Sequence, residues 1–327
     1  MIEVKNLVKQ YGDHRAVDDL SFHVDQGQIV GFLGPNGAGK STTMNVITGY
    51  IAASQGQVLI DGHDVMEEPE EAKKCIGYLP EIPPLYPDMR VWEYLEFVYE
   101  LKKCKREDKE EVLEEIMERT QILDVEMRLI KNLSKGYKQR VGLAAAMIGN
   151  PKILILDEPT VGLDPKQILE IRDLIRELSK DHTILLSSHI MQEVSAVCNY
   201  ILIINEGKLV AQGSPDQIAG SVEQYNQIDF TVRAGEAEVK EALEGMEGIR
   251  SLEISQEETE CQVQVKTDVE TDLREEIFFA LAEAKKPIVA MNMYQPSLEE
   301  AFIALTGQGS DQGASRKNKK EEAKDKC

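Results

Sequence analysis

Residues 34–41 of the chain, GPNGAGKS, have the types and spacing of a loop that binds phosphate groups. They follow the pattern GxxxxGK[ST] between a predicted strand and a predicted helix, which is the context that this pattern requires. Glycines let such a loop wrap tightly, so that backbone N–H groups and the helix N-terminus face the phosphates of a nucleotide. We expect Lys40 to bridge the β- and γ-phosphates, the Ser41 hydroxyl to coordinate Mg²⁺ and Thr42 to reach the α-phosphate. The residues expected to contact the nucleotide here are Gly34, Pro35, Asn36, Gly37, Ala38, Gly39, Lys40, Ser41 and Thr42.

A pair of acidic residues, Asp157 and Glu158, follows the apolar run ILIL. At the tip of a buried strand, Asp157 would hold the Mg²⁺ shell, and Glu158 would orient or deprotonate a water that attacks the γ-phosphate. Two acidic residues after a strand are, by themselves, equally typical of a surface turn. Together with the phosphate loop they predict a catalytic pair.

The elements that must position these residues alternate between short β-branched runs and helical patterns up to about residue 220. This alternation predicts an α/β domain with a mostly parallel sheet, over residues 1–221. Between residues 88 and 150 only helical spacing is found, so we expect a helical insert there. The aromatic run Trp92, Tyr94, Phe97 and Tyr99 in this insert has the spacing of an ordinary helix core, and a contact surface for a partner is the alternative.

A second domain is predicted over residues 222–307, where the order of elements becomes strand, helix, strand, strand, helix, strand. This is the order of a smaller α+β, ferredoxin-like domain. The segment PSLEEAFIALTG would form a closing helix. Residues 308–327 have almost no apolar side chains and are expected to be a disordered charged tail.

The charge of the whole chain limits its partners. Among 327 residues, 37 basic and 58 acidic side chains give a formal net charge of −21, which repels the phosphate backbone of nucleic acids. We therefore expect no nucleic-acid partner. No apolar run approaches the roughly 18 residues of a membrane span, and the N-terminal sequence has no secretory signal pattern.

Four short segments lie between residues 34 and 189, in the order GPNGAGKST, LSKGYKQR, ILILDEPTVGLD and SSH. Together they resemble the nucleotide-binding domain of the ABC ATPase family, since few other phosphate-loop proteins combine all four. The resemblance implies a phosphate-loop NTPase core, an antiparallel β subdomain, and hydrolysis of ATP with Mg²⁺. It also implies a homodimer or heterodimer of ATPase domains, arranged head to tail so that neither subunit completes a site alone.

The family's functional positions carry over to five further residues. Tyr11 matches the aromatic on which adenine stacks, although an ordinary surface tyrosine is the alternative. Ser134 and Gly136 match the signature loop, which faces the γ-phosphate bound by the other subunit. Asp164 matches the loop that joins the two sites, and His189 matches the switch histidine that contacts the γ-phosphate.

The sequence departs from the family pattern at two places. In the signature, Lys135 and Tyr137 replace a glycine and a glutamine, while the phosphate-facing residues remain. In IGYLPE, Glu81 replaces the glutamine that touches Mg²⁺ and senses the membrane partner. A carboxylate there can still ligate a metal ion, so our hypothesis is that Glu81 is a metal ligand with a changed coupling role.

The resemblance favours the ATP-hydrolysing subunit of an ABC transporter, with export through separate integral membrane permease subunits. The second domain is similar to the C-terminal extension of bacterial exporter-type ABC ATPases, and it is either a stabilising appendage or a regulatory site. The expected location is the cytoplasmic face of a bacterial membrane. One alternative is an ABC protein that remodels ribosomes or nucleic acid; another is a nucleotide-sensing scaffold, which Glu158 and His189 disfavour.

Overall fold

The computed structural model describes residues 1–105, 107–219, 225–257, 259–294, 302–303 and 305–306. The chain divides into two compact units between Pro215 and Asp216. This division lies a short way before residue 221, where the change in composition places the end of the first domain.

A six-stranded sheet forms the centre of the first unit. Its inner strands are buried on both faces and almost wholly apolar, which is typical of a parallel sheet covered by helices. Neighbouring strands pair in parallel except for the two that come last in the chain, which pair antiparallel. The mostly parallel sheet predicted from the sequence is thus confirmed. Numbered along the chain and given in spatial order, the strands are β10 (Lys208–Gly213), β9 (Tyr200–Asn205), β3 (Ile29–Leu33), β8 (Thr183–Ser188), β7 (Ile153–Leu156) and β6 (Ile76–Leu79).

A four-stranded antiparallel sheet forms the second layer of this unit. One face of it is buried in a core that it shares with the central sheet, where the ring centroids of Phe22 and Phe32 lie 5.7 Å apart. This sheet is the antiparallel β subdomain that the resemblance implies. In spatial order its strands are β2 (His14–Val24), β1 (Ile2–Tyr11), β4 (Gln55–Ile60) and β5 (His63–Asp64).

The predicted helical insert is confirmed, because the described part of residues 91–147 contains three helices and two short 3₁₀ turns but no strand. The first helix begins after Arg90, whose backbone N–H donates to the Glu93 carboxylate at 2.8 Å. This local bond satisfies one of the donors that a helix start leaves without a partner. The helices are α3 (Val91–Leu101), α4 (Lys109–Arg119) and α5 (Lys135–Met147).

The aromatic run of α3 divides between core and surface. Tyr94 and Tyr99 are buried and Trp92 is half-buried, as a helix core requires. Phe97 is 38% exposed and makes an edge-to-face contact with Tyr86, at 5.6 Å between ring centroids. The prediction of a core role is therefore correct for the tyrosines and wrong for Phe97.

The remaining helices of the first unit cover the central sheet. The helix α7 (Met191–Val197) packs directly on β3, since a Cβ built on Gly31 would lie 2.1 Å from Cγ1 of Val194. Only a glycine allows this close approach of helix and strand. In the described residues no helix combines the length and apolar character needed to cross a bilayer. The others are α1 (Lys40–Ile47), α2 (Pro69–Lys74) and α6 (Pro165–Leu178). The short helix α8 (Pro215–Ala219) begins at the last residue of the first unit.

The second unit has the predicted order of strands and helices. Its sheet is antiparallel throughout, with the spatial order β12 (Ile249–Glu257), β13 (Glu260–Thr267), β11 (Asn226–Val232) and β14 (Ile288–Tyr294). Alternate residues of β11 are buried, so one face of the sheet packs on the helices around Phe230 and Ile277. The predicted closing helix at 296–307 and the predicted tail at 308–327 lie almost wholly outside the described residues. The elements are β11 (Asn226–Val232), α9 (Glu236–Leu243), β12 (Ile249–Glu257), β13 (Glu260–Thr267), α10 (Arg274–Glu283) and β14 (Ile288–Tyr294).

Candidate nucleotide-binding and hydrolysis site

The loop of residues 34–41 joins the end of β3 to the first turn of α1. Gly37 and Gly39 have left-handed backbones, with φ of +83° and +100°. A Cβ on Gly39 would lie 2.4 Å from the carbonyl oxygen of Ala16, so a side chain does not fit there. Around Gly37 nothing lies within 4 Å of such an atom. The loop is therefore closely packed against Ala16 at Gly39, whereas at Gly37 it leaves open space for a ligand.

The side chain of Lys40 turns back over this loop. Its Nζ donates to the carbonyl oxygens of Gly34 and Pro35, at 2.7 Å and 3.2 Å, and lies 3.6 Å from Oε1 of Glu158. Burial lowers the pKa of Lys40, and the nearby carboxylates, of which Glu158 has the largest effect, partly offset this. Charged phosphate oxygens would be stronger partners for this ammonium group than the neutral carbonyls.

The acidic pair meets the loop at Asp157, which is almost fully buried at the end of β7. Its Oδ1 accepts hydrogen bonds from Ser187 Oγ at 2.5 Å and from Ser41 Oγ at 3.4 Å. The Ser187 hydroxyl also accepts a hydrogen bond from the backbone N–H of Glu158 at 2.9 Å. One serine at the end of β8 therefore holds both members of the pair.

Glu158 and His189 form a direct contact. Nδ1 of His189 lies 3.1 Å and 3.0 Å from the two carboxylate oxygens of Glu158. An ionised carboxylate only accepts hydrogen bonds, so the imidazole donates in this contact. The backbone of Glu158 is left-handed, with φ of +47°. For a residue other than glycine this conformation costs about 1 to 3 kcal/mol, and such strain is concentrated at functional sites.

Most of the predicted nucleotide and metal contacts line one cavity of about 410 Å³. Tyr11 is 49% exposed at the end of β1, and the Lys9 ammonium lies 5.0 Å from its ring centroid. His14 lines the same cavity, and the sequence analysis did not single it out. The predicted residues Gly34, Pro35, Ala38 and Asp157 belong to the loop and the strand end without lining the cavity. Those that line it are Tyr11, Asn36, Gly37, Gly39, Lys40, Ser41, Thr42, Glu81, Glu158 and His189.

Three predicted residues, Ser134, Gly136 and Asp164, line a second cavity of about 310 Å³. Ser134 precedes α5 and its Oγ accepts from the N–H of Tyr137 at 3.3 Å; Asp164 precedes α6 and accepts from the N–H of Gln167 at 3.0 Å. Both are therefore N-cap residues of their helices. The second cavity shares no lining residue with the first. Within one chain, these three residues do not join the Lys40 site.

Comparisons with known proteins agree with this arrangement. The model of the ABC transporter family matches residues 17–161. The linearmycin resistance ATP-binding protein LnrL of Bacillus subtilis is 31% identical over 94% of this chain and 98% of its own length. The chain belongs to the ABC transporter ATP-binding proteins. The bacitracin transport ATP-binding protein BcrA of Bacillus licheniformis is 31% identical over 95% of the chain and 98% of its own length. The dimeric ABC transporter cassette MJ0796 covers 65% of this chain and 98% of its own, with 25% identity and a TM-score of 0.60.

Membership of this family makes the chain an ABC-type ATPase and the ATP-binding subunit of an ABC transporter. The predicted fold class of the first unit is confirmed by the same comparisons.

The departures from the ABC signature have local partners in the structure. The Tyr137 hydroxyl donates to Oδ2 of Asp124 at 2.9 Å, so it points to the 3₁₀ turn Leu123–Val125 within the helical insert. The Lys135 ammonium lies beside Gly162, where a Cβ would approach it to 2.4 Å. Gly162 precedes Asp164 in the segment VGLD, and Lys135 follows Ser134. The ammonium therefore lies between two segments that the ABC resemblance implies at the interface.

The Mg²⁺ implied by the ABC resemblance fits the oxygen groups at the end of β7. Ser41 Oγ and Asp157 Oδ1 lie within 3.4 Å of each other, and Glu81 offers a second, exposed carboxylate in the same cavity. Among the described residues, no cluster of three or more His, Cys, Asp or Glu side chains is placed to hold a metal ion. Mg²⁺ needs none, because it is commonly bound by one or two carboxylates together with water and substrate phosphates.

Two buried residues of the site, Ser187 and Ser188, are not predicted from the sequence. The segment SSH was assigned only through His189, although both serines lie in a strand that is buried throughout. A buried hydroxyl almost always has a hydrogen-bond partner. That rule was the available signal that these serines contact other functional segments.

Proposed function

We propose that Glu158 and His189 carry the hydrolytic step of this ABC ATPase. The hydrolysis would power export through separate permease subunits. The observation that carries the proposal is the contact between these two side chains beside Lys40 and the phosphate-binding loop. A base must lie within hydrogen-bond reach of the proton that it abstracts. Glu158 lines the cavity; His189 contacts its carboxylate, and Ser187 holds its backbone N–H.

In this proposal the residues divide the work of phosphoryl transfer. The open side of the loop, Lys40 and Thr42 bind the phosphates, and Tyr11 lines the same cavity and stacks on the adenine. Glu158 orients and deprotonates water, while His189 keeps the carboxylate in place and contacts the γ-phosphate. Bound Mg²⁺ would neutralise charge on the phosphates, and Ser41 and Asp157 would hold it.

Dimerisation is proposed because the two cavities are separate. Ser134, Gly136 and Asp164 present hydroxyl, backbone and carboxylate groups that do not reach the Lys40 site in one chain. A head-to-tail pair would bring the second cavity of one copy to the first cavity of the other. The dimeric cassette among the structural relatives supports the formation of a dimer.

A third cavity, of about 560 Å³, is the proposed contact surface for the permease. It lies between the edge of the central sheet and the helical insert, and Tyr50, Tyr78 and Tyr94 line it with apolar side chains of α5. Tyr50 is 80% exposed beside the apolar lining of this cavity, and contiguous apolar surface, unlike a single exposed side chain, marks an interaction site. A permease there would hold the chain at the cytoplasmic face of a bacterial membrane. Export is favoured because two relatives are named for antibiotic resistance and antibiotic transport.

Turnover of ATP by the purified chain, with and without Mg²⁺, tests this function. We expect the Glu158→Gln variant to lose about 100-fold or more in kcat, as general-base catalysis contributes at least that much. It should keep its affinity for ATP and elute as a dimer from size-exclusion chromatography in ATP and Mg²⁺. The matched control is Glu177→Gln, which removes the same charge from an exposed ion pair on α6.

Two results would contradict the proposal. A Glu158→Gln variant that hydrolyses ATP like the wild type would exclude Glu158 as the base. No ATP-dependent dimer in either protein would exclude the shared site, and the scaffold alternative would then account better for the chain.

A further inference from the structure

A buried carboxylate lies behind the proposed hydrolysis site. Glu193 is in the first turn of α7 and is only 8% exposed. A buried carboxylate is costly unless hydrogen bonds or charges compensate it. The ATP-contacting groups described above do not include Glu193, and it does not line the nucleotide cavity.

Two hydroxyl groups compensate this carboxylate. Thr160 Oγ1 and Ser188 Oγ both donate to its Oε2, the latter at 3.3 Å. Both donors are themselves buried. Ser188 Oγ also accepts a hydrogen bond from the backbone N–H of Ile190 at 3.0 Å, so the three side chains and one backbone group form a continuous network.

The two donors come from the two segments that carry the proposed catalytic residues. Thr160 is two residues after Glu158, in a turn closed by a bond from the Val161 N–H to the Glu158 carbonyl at 3.1 Å. Ser188 immediately precedes His189. Glu193 therefore ties the turn after the base to the strand end before the histidine, from the side opposite to the substrate.

We propose that Glu193 is a positioning residue for ATP hydrolysis, which fixes the distance between the segment of Glu158 and the segment of His189. The proposal rests on the proposed roles of these two residues. Its chemistry is that of an acceptor, since the carboxylate receives two hydrogen bonds and transfers no proton. A displacement of about 1 Å in a catalytic group costs on the order of 100-fold in rate, so loss of the tie acts on kcat.

Steady-state kinetics of three variants test the proposal. Glu193→Ala removes the acceptor and should lower kcat on the order of 10- to 100-fold, while the KM for ATP changes by less than about 3-fold. Glu193→Gln keeps an acceptor oxygen and should recover most of the rate. Val194→Ala is the control, because it removes buried packing from the same helix and leaves the network intact. It should lower the thermal midpoint but keep kcat within about 3-fold.

A double-mutant cycle tests whether Thr160 acts through Glu193. Thr160→Val alone should lower kcat in the same direction as Glu193→Ala. The two changes together should be no worse than Glu193→Ala alone, since coupled residues are not additive. Fully additive losses would mean that Thr160 and Glu193 act separately, and would overturn the proposal.

Hydrogen exchange of the full chain gives a readout that does not depend on hydrolysis. In Glu193→Ala the backbone amides of Val161, Leu163 and Ile190 should exchange at least about 10-fold faster, because the turn and the strand end are no longer tied. Unchanged exchange at these amides would overturn the proposal, as would an unchanged kcat. A wild-type chain that does not hydrolyse ATP would instead refute the proposed function, and the exchange data would still decide the role of Glu193.

Discussion

The ammonium nitrogen of Lys40 lies 3.6 Å from Oε1 of Glu158, and neither side chain is more than 10% exposed. The proposed phosphate-binding group and the proposed base are thus partners of each other in the structure. Phosphate oxygens that bind Lys40 would compete with Glu158 for this charge. Binding of the substrate would then weaken the hold of Lys40 on the carboxylate that has to act on water.

The burial of Lys40 predicts a pH dependence of stability. Burial lowers its pKa below the ordinary value of 10.5, so the folded chain releases this proton at a lower pH than the unfolded chain. Between the two pKa values the unfolded state binds more protons, and the free energy of unfolding rises with pH, by at most about 1.4 kcal/mol per pH unit. Urea unfolding of the wild type and of Lys40→Met from pH 7 to pH 10 should show the wild type gaining stability relative to the variant. A difference that stays constant or falls with pH would contradict this.

The exposed carboxylate of Glu81 predicts a change in metal dependence. Because Glu81 lines the cavity that holds Ser41, Glu81→Gln should raise the Mg²⁺ concentration for half-maximal ATP turnover by about 10-fold, a loss typical of altered metal surroundings. Glu67→Gln, an equal change of charge at an exposed residue after β5, is the control. If turnover and its Mg²⁺ dependence are the same in wild type and Glu81→Gln, Glu81 is not a metal ligand.

The tight side of the phosphate loop predicts a specific loss of stability. Gly39 and Gly12 both have positive φ, but only Gly39 has an atom in the way of a Cβ. Gly12→Ala should lower the free energy of unfolding only through the strain of its left-handed backbone, by about 1 to 2 kcal/mol. Gly39→Ala should cost about 1 to 3 kcal/mol more, through its collision with Ala16. Urea unfolding measures the stability of both variants. An equal loss of stability in the two would show that the loop at Gly39 can move away from Ala16.

The core of the second unit predicts independent behaviour of the two units. Phe230 is 3% exposed in that core, so Phe230→Ala should destabilise the second unit by about 3 to 5 kcal/mol. ATP affinity, measured by fluorescence titration, should stay within about 2-fold if the unit is a stabilising appendage. Phe279→Ala, at a residue of α10 that is 61% exposed, should change stability by less than about 0.5 kcal/mol. A large loss of ATP affinity in Phe230→Ala would favour a regulatory role.

The phosphate loop and the acidic pair could be predicted because their signals are local. Each is a short run of residue types bounded by a strand, and the strand and helix of each motif lie where the sequence predicts them. The alternation of β-branched and helical segments likewise predicts the parallel sheet. The burial of Tyr94 and Tyr99 follows from helical spacing alone, whereas the exposure of Phe97 depends on Tyr86, which lies in an irregular connection.

The contacts of Ser187 and Glu193 could not be predicted in the same way, because they depend on the order of strands in space. β8 lies between β3 and β7, although β7 precedes it in the chain and β3 precedes both. This order brings the end of β8 beside the acidic pair. The spacing of residues along a chain does not state which strands are neighbours. A long-range hydrogen bond, such as that from Ser187 to Asp157, therefore follows from the fold and not from any motif.

The left-handed backbone at Glu158 limits how this position can change during evolution. A β-branched residue in that conformation crowds the chain, whereas asparagine, aspartate and glycine tolerate it. Glutamine keeps the unbranched Cβ of glutamate, so it replaces the charge with little further strain. Lineages that lose hydrolysis would therefore drift at this codon toward glutamine, asparagine, aspartate or glycine, and away from valine, isoleucine and threonine.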